Sequence, residues 1–405
     1  MNPVLFRHVN VIPMDEEKIL ENIDLLVEDG KISRIGPDVS SENAEVISCD
    51  GKYLIPGLCD MHMHLTFRRD LDLYLPNGVT TIRNMWGTPE FNQWRVAINA
   101  GEITGPTVYN CGQILDGDPP VRPADKYNVT LRTPIEGRKE VFRLKREGYD
   151  FIKVYTNLPL DIYDAIATAS KECDMKFIGH VPPAVGFEHV VEAGQHSVEH
   201  MSYVALEDIE TAARSGIWIC PTVIVQNMIT ELHMGEDAEA MLEDERLKYM
   251  DSETRRGWEM AYEGKEELAK IEAFQAFLKK SSYEKTKPVV RKAYEAGCRL
   301  VLGTDTGNPF IYPGFAVHDE LALMVDCGLT TYDALKTATH NAAECLEILD
   351  ITGTVEEGKA ADLVLLEASP FENITNTQRI AGVMKSGQWF DGQAIAGMLE
   401  TAREK

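Results

Sequence analysis

Eight short apolar runs, most of them separated by segments of helical pattern, constrain this chain more than any other feature. They are GLCDMHMH (57–64), GVTTIRNM (78–85), PTVYNCG (106–112), DFIKVYT (150–156), KFIGHV (176–181), HSVEH (196–200), IWICPTVIV (217–225) and RLVLGTD (299–305). Stretches such as LDIYDAIATASKECD and GFEHVVEAG fill several of the gaps. Strands that alternate with helices run parallel and are joined by right-handed crossovers. Eight of them predict an α/β chain built on a (β/α)8 TIM barrel. A doubly wound open sheet is the alternative, but no glycine-rich nucleotide fingerprint follows the first run.

The two ends read differently. VLFRHVNVI, IDLLVEDGKISRIG and AEVISCDGKYLIPG are strand-like, with hairpin signals at Asp29-Gly30 and Asp50-Gly51. GKAADLVLLE and RIAGVMKSGQWFDG are similar. Neither end alone could bury a core, so we expect residues 1–57 and 352–405 to make one small β-sandwich domain, with the barrel at 58–351. One connection, 226–290, is unusually long and rich in Glu, Lys, Met and Arg. Leu268, Ile271, Phe274 and Leu278 follow helical spacing within it. A lid, a substrate pocket, a covering layer and a dimer contact are all open readings of this insertion.

Composition excludes several function classes. With 40 Lys and Arg against 65 Asp and Glu, the net charge is −25. Nucleic acid and anionic membranes both call for basic surfaces, so neither is an expected partner. The insertion holds 15 acidic and 10 basic residues, so the acidic excess is spread along the chain. No run approaches the roughly 18 apolar residues of a membrane span, and the N-terminus has no secretory pattern. The eight cysteines form no CxxC pair, which points to a reducing cytoplasm rather than a disulfide framework. A small-molecule substrate is expected, and a homo-oligomer is left open.

The chemistry gathers at the strand ends. His62 and His64 lie two apart on the first run, so both imidazoles face one side and can reach one ion. Lys153, His180, His200 and Asp305 each sit at or just beyond the C-terminal end of a later run, and in a barrel those ends converge on one mouth. Imidazole and carboxylate suit divalent ions such as Zn2+. An ammonium group repels a metal, so Lys153 must be neutral, lie elsewhere or be modified.

This constellation resembles the amidohydrolase superfamily of metal-dependent hydrolases. YLIPGLCDMHMHL, EAGQHSVEH, GTDTG, THNAAECLEI and GTVEEGKAADLVLL look like family segments in family order. The resemblance implies two divalent ions, with Zn2+ the leading candidate and Mn2+, Fe2+ or Co2+ as alternatives. It implies that His62, His64 and Asp305 hold one ion and His180 and His200 the other. Lys153 would bridge them as a carbamate formed with CO2, and Asp305 would double as the catalytic acid and base. Deaminase members carry a glutamate three residues after the fifth-strand histidine. Here His180 is followed by Val181, Pro182 and Pro183, which turns the expectation toward amide or peptide hydrolysis. FIKVYTNLP, FIGHVPPAV and AGQHSVEH resemble the branch with imidazolonepropionase-like proteins, dipeptidases, carboxypeptidases and prolidase-like members.

Three further residues are candidate substrate contacts. Arg83 could clamp a carboxylate or form a structural ion pair. Tyr155 shares the parity of Lys153 and could donate to a carbonyl oxygen. His318 follows the eighth run. His196 and Glu199 read as structural, Glu199 because it alternates with His200, and His340 reads as the start of a packing helix. The expected function is metal-dependent hydrolysis of an amide or peptide-like C–N bond, of dipeptidase or carboxypeptidase type. A mononuclear cyclic-amide hydrolase with unmodified Lys153 is one competitor. A catalytically silent barrel with a binding role is another.

Overall fold

The structure is a computed structural model that describes residues 2–236 and 238–403. Met1, Glu404 and Lys405, at the outer ends of the two flanks, lie outside the described residues, as does Asp237 in the insertion.

The eight apolar runs each contain a strand. We number them β1 (Leu58–Met63), β2 (Val79–Asn84), β3 (Thr107–Asn110), β4 (Phe151–Val154), β5 (Lys176–Gly179), β6 (Ser197–Glu199), β7 (Trp218–Cys220) and β8 (Arg299–Leu300). Ladder pairing between neighbours is parallel. A parallel bridge from Cys111 to Phe151 joins β3 to β4. Beyond β8, the Met61 N–H donates to the Leu302 carbonyl at 2.9 Å and the Thr304 N–H to the His62 carbonyl at 3.0 Å. The result is a TIM-barrel-type arrangement. Every residue of β1 is buried, so its Asp60 and His62 are polar groups inside an otherwise apolar run, where each needs a partner.

The seventh run is shorter as a strand than its apolar pattern suggests. Pro221 lacks an N–H, and Thr222 takes a left-handed φ of 46°, so the ladder stops at Cys220. A helix then begins at Val223 and runs to Met234. The buried Glu320 carboxylate accepts from the Val223 and Ile224 N–H groups and satisfies that helix start.

Strands from both ends share one sheet. Its order is Gln388–Asp391, Ile380–Lys385, Leu363–Leu366, Tyr53–Pro56, Val4–Val11, Leu20–Glu28, Lys31–Gly36, with Glu45–Ser48 also paired to Val4–Val11. Leu363 and Leu365 pack with Phe6, Leu25 and Leu54 on one face. Val364 and Leu366 pack into the barrel's apolar core on the other. A strand buried on both faces explains the unbroken LVLL. The C-terminal stretch is a helix, Gly392–Ala402, rather than further strand. Asp391 caps it by accepting from the Ala394 N–H at 2.8 Å.

The insertion is helical but is not one amphipathic helix across residues 265–281. Ile271 is extended and separates Lys265–Ala269 from Glu272–Ser281. Leu268 and Ile271 are therefore exposed, while Leu278 is buried. Among the described residues, no helix is long and apolar enough to cross a membrane, and all eight cysteines are unpaired.

Candidate metal centre

Alternation along β1 puts Asp60, His62 and His64 on one side. Asp60 ties two strand ends together. It accepts from the Thr304 N–H at 3.1 Å, the Thr304 hydroxyl at 2.6 Å and the His62 N–H at 3.2 Å. Burial pushes its carboxyl up to about 6, against those hydrogen bonds. Gly303 allows the same close approach, because a Cβ there would stand 2.5 Å from His62 Cβ and 2.4 Å from Cys220 Sγ.

Next along the chain, Asp305 reaches into the ring. Its Oδ1 lies 3.4 Å from His62 Nε2 and 3.0 Å from His64 Nε2, and its Oδ2 lies 3.8 Å from His200 Nδ1. Asp305 and His200 both hold positive φ, at 56° and 71°. Non-glycine residues in that region concentrate where the surroundings over-determine a functional geometry. One ligand atom each from His62, His200 and Asp305 falls within 4.8 Å of the others. His180 adjoins His200, with ring centroids 4.9 Å apart. Lys153 is buried on β4. The structure therefore gathers four of the expected residues, with His180 in ring contact with the group and Lys153 buried on the strand beside it.

The orientation of the rings fits a metal. His62 Nδ1 lies 2.8 Å from Glu199 Oε2, His180 Nδ1 lies 2.8 Å from Thr156 Oγ1, and His200 Nδ1 lies 2.7 Å from Thr222 Oγ1. A carboxylate only accepts, so the His62 proton sits on Nδ1 and its Nε2 keeps a free lone pair. His62 Nε2, His180 Nε2 and Lys153 Nζ are buried with no hydrogen-bond partner among the described residues. Orphaned buried nitrogens are costly unless something else partners them. Burial drives His64 down to about 4 and His200 to about 3, holds His180 well below its ordinary value, and lowers Lys153. Burial alone would raise Asp305, but the facing His62 and His200 rings and hydrogen bonds from His62 and His64 outweigh it and hold the carboxyl well below the usual range. His64, His180 and His200 are thus neutral at neutral pH and Asp305 is ionised, protonation states that a divalent ion requires.

Glu199 is the residue that sequence reasoning undervalued. Strand alternation should turn it away from His200, but His200 lies past the last residue of β6 and its positive φ breaks the alternation. Glu199 Oε1 also accepts from Arg83 at 2.8 Å and from the Ser197 hydroxyl at 2.5 Å. Arg83 is fully buried, donates to the Met61 carbonyl at 2.6 Å, and so cannot clamp a substrate carboxylate. The structural ion pair is the correct reading. Nothing local in the sequence shows this pairing, because His62 and Glu199 are 137 residues apart.

Tyr155 is at the mouth, its ring centroid 4.1 Å from that of His180, and burial pushes its hydroxyl up to about 12. Tyr203 flanks the same imidazole at 4.5 Å and was not anticipated. His196 contacts the Cys345 carbonyl at 2.8 Å, and His340 starts the helix His340–Cys345, both in line with structural roles.

His318 does not join the site. Its helix, Ala316–Asp326, turns it toward Thr377, with Nδ1 3.0 Å from the hydroxyl. Burial lowers it to about 4. An unfolded histidine titrates near 6.5, so between about pH 6.5 and 4 the unfolded chain binds a proton that the folded chain refuses. The stability His318 supports is therefore present above pH 6.5 and lost as pH falls, by about 2 kcal/mol at pH 5. Urea denaturation at pH 7 and pH 5 is expected to show a smaller stability difference for His318→Asn than for the wild type. Equal differences would remove His318 as a source of acid sensitivity.

Comparison with known proteins bears on the same residues. The amidohydrolase family pattern matches residues 53–390, most of the chain, a span that includes the six candidate ligands. The chain belongs to the amidohydrolase family. It is 27% identical to an ochratoxinase from Aspergillus niger over 97% of its length and 88% of the relative's. It is 25% identical to an imidazolonepropionase from Brucella anthropi, covering 86% of this chain and 87% of that one. Its fold matches the crystal structure of a Xaa-Pro dipeptidase with bound methionine at a TM-score of 0.78 and 22% identity, over 96% of this amidohydrolase and 100% of the dipeptidase chain. At that identity the likeness speaks for the fold alone. Membership makes the chain an enzyme of carbon–nitrogen bond hydrolysis, in a family that generally binds divalent metals.

Proposed function

We propose that this amidohydrolase cleaves an amide or peptide-like C–N bond, as dipeptidases and carboxypeptidases do. The observation that carries the reading is the convergence of His62, His200 and Asp305 within 4.8 Å, with the outer nitrogens of His62, His180 and His200 already engaged. His62, His64 and Asp305 would hold one divalent ion, Zn2+ by ligand type, and His180 and His200 a second. Lys153 Nζ would add to CO2, lose a proton and become the anionic bridge. Residues 58–351 would form the catalytic unit, with 1–57 and 352–405 as its β domain. When bound, such ions bring a water toward ionisation near neutral pH and polarise the carbonyl.

The chain's own groups do the rest. Asp305 takes a proton from the attacking water as the C–O bond forms. It returns that proton to the leaving nitrogen as the C–N bond breaks, giving a carboxylic acid and an amine. Tyr155, seated against His180, offers its hydroxyl to the carbonyl oxygen. Glu199 keeps the His62 ring oriented.

A mononuclear reading stays in play for one reason. His200, assigned above to the second ion, lies with His62 and Asp305 in a single three-ligand group. Elemental analysis separates the two readings: about two ions per chain supports the binuclear site, and one supports the alternative. Dipeptides, N-acyl amino acids and small lactams screened against metal-loaded protein test the activity itself. Turnover of at least one class, abolished by chelation, is expected. Lys153→Ala should lose activity and regain part of it with short carboxylic acids, and the absence of rescue would count against a carbamate.

A further inference from the structure

A cavity of about 330 Å³ opens beside His64, and the 226–290 insertion forms one of its walls. Ligand pockets span about 300–1,000 Å³, so it has room for one ring system rather than a long peptide. Its apolar lining includes Phe67 from the segment after β1, Ile311 from the segment after Asp305, and Met250 and Trp258 from the insertion. The ionisable side chains on the lining, apart from His64, are Asp70 and Glu253, and no lysine or arginine is among them. A carboxylate on a group seated there would face two acidic side chains, with no lysine or arginine on the lining to offset them.

The insertion wall is anchored to the barrel. The Trp258 ring lies edge-on to Tyr312 at 5.0 Å and 5.4 Å from Phe310. Arg246 pairs with Asp319 at 2.6 Å and lies over Tyr312 at 4.4 Å. These contacts bind the insertion to the segment that follows Asp305, so the cavity is pre-formed and shares His64 with the metal centre.

We propose that this cavity is the subsite for one substituent of the scissile amide, a bulky ring without negative charge, and that the insertion supplies the selectivity. This rests on the amide-hydrolase reading above and narrows its substrate class. Gly257 provides the test. It lines the cavity, lies inside the helix Ser252–Glu263, and a Cβ built on it meets nothing within 4 Å. Gly257→Leu therefore adds bulk at the cavity lining without a clash, while favouring the helix.

Metal-loaded full-length protein is assayed with two matched amide series, one varied on the acyl side and one on the amine side, from methyl through phenyl to 2-naphthyl. In one series kcat/KM is expected to rise at least about tenfold from methyl to naphthyl, and Gly257→Leu should cut that ratio by about tenfold or more. A ratio that ignores ring size, or that Gly257→Leu leaves unchanged, overturns the proposal. Calorimetric titration with 2-naphthamide provides a readout free of turnover. Wild-type binding weakened at least about tenfold by Gly257→Leu supports the subsite, and absent or unaltered binding overturns it. If no amide is hydrolysed and naphthamide still discriminates between the two proteins, the amide-hydrolase reading fails while the subsite stands.

Discussion

Asp305→Asn is expected to lower kcat/KM by about 10²–10⁴-fold, the range spanned by a general acid–base group. The substitution keeps the size of the side chain and removes its charge. In the folded chain that charge is secure at neutral pH. Burial works against it, but His62 and His200 hold the carboxyl well below the usual range, and its oxygens lie 3.0 to 3.8 Å from nitrogens of His64, His62 and His200. An amide can accept a hydrogen bond from those rings but cannot take a proton from water or deliver one to a leaving amine. Losing a ligand could also empty the site, so turnover must be compared at equal metal content, checked by elemental analysis. Wild-type turnover at full loading would take the acid–base role away from Asp305.

Arg83→Met is expected to destabilise the fold by about 3–5 kcal/mol, the usual cost of stripping one partner from a buried ion pair. Both side chains are completely inside the protein. Without the guanidinium, Glu199 keeps only the Ser197 hydroxyl and the His62 ring, and burial then drives its carboxyl upward. The urea midpoint should fall with little change in slope, because the surface exposed on unfolding is nearly unchanged. Arg83→Met combined with Glu199→Gln should recover part of the loss, since the double variant leaves no unpaired buried charge. A cost under about 1 kcal/mol, typical of exposed pairs, would contradict the buried pairing.

The two experiments probe different layers of one design. On the proposed reading Asp305 acts at the reacting atoms, whereas Arg83 pairs with Glu199, whose other oxygen meets His62 Nδ1. That chain of contacts crosses the ring from β2 to β6 and back to β1.

Much of this was legible along the chain. β-period alternation puts His62 and His64 on one side whatever lies around them. Their neighbours at the strand ends, Lys153, His180, His200 and Asp305, are recognisable because a polar or ionisable group in an apolar run demands an explanation. Local signals fail where the partner is distant or the backbone departs from its period. Arg83 read as a potential substrate clamp because its partner is 116 residues away. Glu199 is structural, as SVEH suggests, but its partners Arg83 and His62 cannot be read from that segment. His318 follows the eighth strand closely, yet its helix turns it toward Thr377. The apolar residues of 265–281 keep helical spacing, but an extended Ile271 divides them between two helices.

The sequence by itself determined the alternation of strand and helix, the list of metal-type side chains and an acidic chain unsuited to polyanions. Each follows from residue type and short-range period. Only the tertiary structure decided which nitrogen of His62 stays free, that Arg83 belongs to the core, and that the insertion forms a wall beside His64. Those outcomes depend on contacts closed between residues far apart along the chain, and no local pattern encodes the distance between them.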